Sequence, residues 1–143
     1  MRKHRHIGAY GAIIEDDKIV LIVKARGAYT GLLDLPGGGI EHAENPNDTI
    51  KREIEEETGL IVKNINLLDI ASCNVKWEDS DGTEDLHHLG IFYKVDCHKS
   101  ELKKDPDGLD SLGASWYEIK DLTKEQVSPF TIMILEKLGY IVK

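Results

Sequence analysis

The sequence predicts an α/β (α+β) fold, a mixed β-sheet with helices packed on it. Three observations carry this. β-prone runs and capped helical segments follow one another in the order β-rich, helix, β-rich, helix. No internal repeat or low-complexity linker divides the 143 residues, so one domain, 1–143, is expected. Hydrophobic residues make up 41% and charged residues 31%, enough apolar material for a packed core under a charged surface.

The elements follow in chain order. From Ile7 to Lys24 two β-prone runs flank Glu15-Asp16-Asp17, which reads as a hairpin. Ala25–Gly31 is loop-like, Leu32–Leu35 a short strand, and Pro36-Gly37-Gly38-Gly39 breaks it. Asn45 is placed to cap a helix, with Pro46 at its first position and Asp48 able to reach back to the cap. Ile50 and Ile54 form an apolar pair one turn apart, and Gly59 suits the left-handed position after the helix, which should run from about Pro46 to Thr58. Strand-like runs cover Leu60–Trp77 and Leu86–Cys97, separated by an acidic loop, Glu78–Asp85. Ala114–Ile119 is one more strand, and a capping-type Asp121 follows it. Ser128, Pro129 and Gly139 bound a second helix.

The formal net charge of −8 argues against non-specific binding to nucleic acid or to an anionic membrane, but admits a small anionic ligand bridged by a cation. Cys73 and Cys97 stand far apart and read as free thiols of a reducing cytosol. The basic start, M-R-K-H-R-H, is followed by no apolar stretch of signal-peptide length, and no run approaches a membrane span. A cytoplasmic protein is expected.

Within Arg52–Gly59, R-E-I-E-E-E-T-G, four glutamates fill five positions. At the pitch of a helix, Glu53, Glu56 and Glu57 share an arc of about 100° bordering the Ile50/Ile54 stripe, while Glu55 points elsewhere. Like charges at these spacings, at the negative end of the helix dipole, destabilise it by a few tenths of a kcal/mol each. Three clustered carboxylates suit a hard divalent cation, Mg²⁺ or Mn²⁺. A solvated acidic face is the alternative. The neighbourhood favours the cation: a Pro-Gly-Gly-Gly loop permits close backbone approach, and Arg52 can clamp a carboxylate with a two-pronged bond.

These residues resemble the Nudix hydrolases, whose signature is G-x5-E-x7-R-E-U-x-E-E-x-G-U with U a bulky aliphatic residue. Gly38, Glu44, Arg52, Glu53, Ile54, Glu56, Glu57, Gly59 and Leu60 fill every defined position. The flanking L-P-G-G-G-I-E and S-W-Y-E-I-K-D-L also look like the family. The resemblance implies an α/β/α sandwich and hydrolysis of a nucleoside diphosphate linked to another group, X. It implies Glu53, Glu56, Glu57 and the Gly38 carbonyl as Mg²⁺ ligands. Arg52 would orient a glutamate, Glu44 would support the site, and Gly59 and Leu60 would end and pack the helix. Glu57 or Glu56 would be the general base. Family members also draw that base from a late loop, where Glu78, Asp79, Asp81, Glu84 and Asp85 stand here. A non-catalytic nucleotide sensor on the same fold is the alternative.

Lys24 and Arg26 are candidate phosphate contacts, against ordinary surface charge. Trp77, Trp116 and Tyr29 can stack on a base or simply pack. One of His87 and His88 can face the site, against a structural or solvent-exposed role. Aligned on Gly82, the acidic loop partly mimics a calcium loop, but Trp77 and His88 occupy two of its ligand positions. The proline or tyrosine that some subfamilies carry downstream of the box is absent, Val75, Lys76 and Trp77 standing there, and Leu33 replaces the family's common tryptophan, so these residues do not assign X. Uncovered strand edges permit a homodimer.

Overall fold

The computed structural model describes residues 1–98, 101–102 and 111–143, of residues 111 and 112 the backbone alone. Its elements are β1 (Arg2–Ala12), β2 (Ile14–Glu15), β3 (Lys18–Lys24), β4 (Leu33–Asp34), β5 (Gly37–Gly39), α1 (Pro46–Thr58), β6 (Ile61–Asp79), β7 (Gly82–His98), β8 (Ser111–Glu118) and α2 (Pro129–Lys137). One sheet has the order β5-β1-β7-β6 and is mixed, because β1 and β7 run parallel while the other pairs are antiparallel. The second sheet joins β2, β3 and β4, with β8 on the other side of β3.

Period-two alternation sends successive strand residues to opposite faces. On β3, Ile19 and Leu21 pack with Phe92 and with Phe130, Ile134 and Leu135 of α2. Val20 and Ile22 pack with Ile50 and Ile54 of α1 and with Val95. Each helix thus closes one of two cores, with the sheets between them. The close fit of α1 is visible at Gly11, where an added Cβ would lie 2.7 Å from Ile54 Cδ1.

Helix α1 occupies the predicted residues. Asn45 Oδ1 accepts from Asn47 N at 3.0 Å, Pro46 follows the cap, and Gly59 at φ 76° donates to Glu55 O. Helix α2 is capped by Ser128, and ends with Gly139 N donating to Glu136 O and Tyr140 N to Leu135 O, the paired bonds of a Schellman motif. Asp121 caps no α-helix; it closes a 3₁₀ turn, Ile119–Asp121.

Two expectations are corrected. The Ile7–Lys24 hairpin survives only at its tip, where Ile14–Glu15 pairs with Lys18–Ile19 around Asp16 and Asp17, both at positive φ. Strand β1 belongs to the other sheet. Ala9, Tyr10, Ala12 and Ile13 are buried in the two different cores, which requires a central strand covered on both faces. The acidic loop is also shorter. Only Ser80 and Asp81 form the turn, and the remaining acids extend β6 and β7. Two of these acids meet the residues that open β1: Arg2 pairs with Glu84 and lies 3.9 Å from Asp79, and His4 Nε2 lies 3.2 Å from Glu84. The calcium reading falls with the loop.

Gly59→Ala forces a Cβ into the left-handed region and should cost about 1–2 kcal/mol. A drop in the urea midpoint without loss of helix signal checks this; an unchanged midpoint contradicts it.

Candidate active site

The glutamates of α1 meet strand β5, and the strand is built to receive them. Gly37 N donates to Glu57 Oε1 at 2.7 Å. At Gly38, an added Cβ would lie 2.7 Å from the carboxyl carbon of Glu53, so only glycine lets that carboxylate rest against the strand. Ile40 N→Ile7 O and Gly11 N→Pro36 O bracket the Ala9–Gly38 pair, which therefore falls on a hydrogen-bonded position of the ladder. A carbonyl there keeps a second lone pair.

Arg52 organises the acids. Its Nε and Nη2 each lie 2.9 Å from a Glu44 oxygen, a two-pronged bond, while Nη1 donates to Glu53 Oε1 at 2.8 Å. Glu44 also accepts from Thr49 Oγ1 at 2.7 Å and from Glu41 N at 3.1 Å. Arg52, then Thr49 and the Glu41 amide, hold the Glu44 carboxyl at a pKa of about 2. Arg52 is correspondingly pushed up.

The three glutamates differ in depth. Glu57 is 4% exposed, the Glu53 side chain 18% and the Glu56 side chain 62%. Glu56 turns toward Arg52 Nη1, 3.7 Å away. Among the described residues, no three His, Cys, Asp or Glu side chains already stand together as a metal-binding group. The donor set still fits a hard divalent ion: two carboxylates one turn apart, the Gly38 carbonyl on the strand they meet, and a third, exposed carboxylate with other rotamers open to it.

On the other face of β1 and β5 lies a cleft of about 390 Å³, lined among others by His6, Tyr10, Lys24, Arg26, Tyr29 and Trp77. The three residues singled out for substrate contact, Lys24, Arg26 and Trp77, therefore line one cavity. Arg5 adds a third fixed positive charge. The cleft follows β1 from Tyr10, paired with Gly37, to His4, six residues or about 20 Å along the strand. Only the side-chain-free glycines of β5 separate its inner end from the glutamates. Gly37 lies against the Tyr10 ring and Gly39 against His6.

The late acids do not reach the glutamates. Glu84 pairs with Arg2 and Gly38 with Ala9, seven residues or about 23 Å apart along β1. Asp79, Glu84 and Asp85 are occupied by Arg2, His4 and Asn74. Trp116 packs against the α1 core rather than the cleft. Cys73 and Cys97 are free thiols, and burial pushes Cys97 up to about 11.

Two cleft residues, Asp34 and Tyr10, escaped the sequence reading; of the two candidate histidines, His88 is the one that lines the cleft. Asp34 is buried, receives Leu35 N and Ser128 Oγ on Oδ1, and is pushed up chiefly by burial. A charged residue inside the apolar L-L-D-L run was its signal. Tyr10 and His88 hydrogen-bond at 2.6 Å beneath the cleft, a contact between residues 78 positions apart that local pattern cannot show.

Burial, then the charges of His6 and Lys24, lowers the His88 pKa from 6.5 to about 3. Below pH 6.5 the unfolded chain gains a proton that the folded chain refuses. Stability contributed at neutral pH should therefore be lost as pH falls from 6.5 toward about 3, with a slope of at most about 1.4 kcal/mol per pH unit. Urea denaturation of wild type and His88→Gln across this range should give a shallower profile for the variant; parallel profiles contradict the assignment.

The NUDIX domain family profile matches residues 4–138. The chain is 34% identical over 121 residues to an ADP-ribose pyrophosphatase of Methanocaldococcus jannaschii, covering 85% of this chain and 66% of that protein. It is 25% identical over 126 residues to the 8-oxo-dGTP diphosphatase of Escherichia coli, covering 87% and 88%. The match spans 33% and 57% of the length of two further curated relatives. Among solved structures, a MutT NUDIX hydrolase from Burkholderia pseudomallei superposes with a TM-score of 0.74 at 28% identity, covering 95% of this chain and 99% of that one. With the profile spanning nearly all of the sequence and the glutamate box seated on its glycine strand, the chain belongs to the Nudix family.

Proposed function

We propose that this chain is a Mg²⁺-dependent hydrolase, with Mn²⁺ as a substitute, that cleaves the diphosphate bond of a nucleoside diphosphate linked to X. The observation that carries the reading is the seating of the Glu53 and Glu57 carboxylates on Gly37 and Gly38, steadied by the Arg52–Glu44 clamp.

In this reading Glu53, Glu56, Glu57 and the Gly38 carbonyl hold the metal. A Mg²⁺ ion held there would supply neutralisation of the diphosphate oxygens and a more acidic water. Arg52 fixes Glu53 and keeps the carboxylate cluster from repelling itself apart. One of Glu57 and Glu56 takes the proton of the attacking water. Lys24 and Arg26 hold phosphate oxygens, and Trp77, at the outer end of the cleft, packs on the nucleoside or on X. The new P–O bond forms to water oxygen as the other phosphate leaves with the bridging oxygen.

The cationic cleft in a protein of net charge −8 supports a small anionic substrate over a nucleic acid or a membrane. No helix among the described residues is long and apolar enough to cross a membrane. We place this activity in a single domain, 1–143, working in the cytoplasm. The 19-residue β6 lies at a sheet edge with Leu67 and Ile70 each 62% exposed, the surface on which a homodimer would form. The M. jannaschii relative makes ADP-ribose the first substrate to test, and the E. coli relative adds 8-oxo-dGTP.

A panel containing both compounds, assayed with Mg²⁺ and Mn²⁺, should show metal-dependent release of a nucleoside monophosphate. Glu56→Gln and Glu57→Gln should each lower kcat by about 100-fold or more while the fold and nucleotide binding persist. The variant that loses turnover but still titrates Mn²⁺ normally identifies the base. Binding without turnover by wild type across the panel overturns the enzyme reading in favour of a sensor module.

A further inference from the structure

Beneath the cleft, four side chains from four parts of the chain form one hydrogen-bonded line. The Tyr10 hydroxyl lies 2.6 Å from His88 Nε2. The Tyr29 hydroxyl lies 2.9 Å from His88 Nδ1 and 3.2 Å from Cys73 Sγ. Phe130 covers the imidazole edge-on at 4.7 Å and Tyr29 stacks on it at 5.6 Å. His88 is 4% exposed, and its burial keeps the ring neutral.

A neutral imidazole carries one N–H and one bare nitrogen, so the line has a direction. Suppose the proton sits on Nε2. It then donates to Tyr10, and the Tyr10 O–H must turn to an acceptor outside the line. Suppose instead that it sits on Nδ1. Tyr10 then donates to Nε2, Nδ1–H donates to Tyr29, and Tyr29 donates to the sulfur of Cys73. This order gives every hydroxyl and ring proton an acceptor within the line itself. An unmet buried donor is the costlier arrangement.

The line joins the two halves of the proposed site. Tyr29 is the buried centre of a loop that leaves β3 at Lys24, carries Arg26, and has Gly27 at φ 88° and Gly31 at φ 83° on either side. Beside turn bonds such as Gly31 N→Lys24 O at 2.9 Å, the Tyr29 hydroxyl ties this loop to His88 of β7. At the other end, Tyr10 pairs with Gly37, whose N–H holds Glu57.

We propose that His88 is a positioning residue, fixed as the Nδ1–H tautomer, that holds Tyr29 and the Lys24–Arg26 loop against the β1–β5 pair on which the glutamates rest. The inference depends on the reading of Lys24 and Arg26 as phosphate contacts given above. His88 itself touches no reacting atom; it acts through the loop.

Two measurements test this. In ¹⁵N-detected NMR of the intact protein at neutral pH, Nδ1 of His88 should appear protonated and Nε2 bare; the opposite tautomer overturns the assignment. In Mg²⁺-dependent ADP-ribose hydrolysis, Tyr29→Phe should raise KM about tenfold with kcat changed less than about twofold. In an Arg26→Ala background the same substitution should move KM by less than about twofold, because the group it positions is gone. His88→Gln, which keeps one donor and one acceptor, should lie nearer wild type than His88→Phe. Equal effects of Tyr29→Phe in both backgrounds, or equal effects of the two His88 variants, mean a merely structural role and overturn the proposal. If wild type leaves ADP-ribose intact, the substrate reading fails by itself. The same variants titrated calorimetrically with inorganic pyrophosphate then decide the loop coupling through Kd, and the tautomer is read independently of either.

Discussion

Everything at the proposed site depends on keeping several carboxylates close together without letting them repel one another apart. Helix α1 brings Glu53, Glu56 and Glu57 to one side, at a cost that helix propensity does not offset. Two features of the surroundings do. Arg52 spreads its guanidinium over Glu44 and Glu53, so that one cation serves two acids in fixed geometry. The Gly37 amide takes Glu57. Lysine at position 52 would keep the charge and lose the fork, which makes the residue type as important as its sign.

The same glycines have a second consequence. A strand with side chains would stand as a wall between the α1 glutamates and the cleft beyond β1. Strand β5, Gly37–Gly39, has none, so Glu53 rests on one side of it while His6 and Tyr10 close on it from the other. The acidic half and the cationic half, Arg5, Lys24 and Arg26, are brought within one ribbon's thickness of each other. Opposite charge on either side of a thin, rigid strand suits a ligand that is itself polyanionic and meets both a metal and basic side chains.

How much of this was legible follows from how local each signal is. Helix α1 could be read to its ends because Asn45, Pro46 and Gly59 act on their own neighbours. The box could be read because its nine positions fall in one unbroken stretch, Gly38 to Leu60, running from the glycine strand to just past the end of α1. What depended on distant partners could not. The split of Ile7–Lys24 between two sheets depends on β7, some eighty residues on, covering β1 as its parallel neighbour. The extension of the acidic segment into strand depends on Arg2 pairing with Glu84 across the parallel β1–β7 ladder. Lys24, Arg26 and Trp77 were chosen from sequence and do share one cleft, yet its floor of Tyr10, Tyr29, His88 and Asp34 comes from four separate stretches. Tyr29 and His88 were legible as candidates with two roles open to each, Asp34 left an unread trace as a charge inside an apolar strand, and Tyr10 left none.

The most direct test of the central claim is anomalous diffraction from crystals of the protein soaked in Mn²⁺. The account predicts a peak shared by the carboxylates of Glu53 and Glu57 and the carbonyl of Gly38, with Arg52 still bonded to Glu44. A peak remote from β5, or none while Mn²⁺-dependent turnover is present in solution, would contradict it.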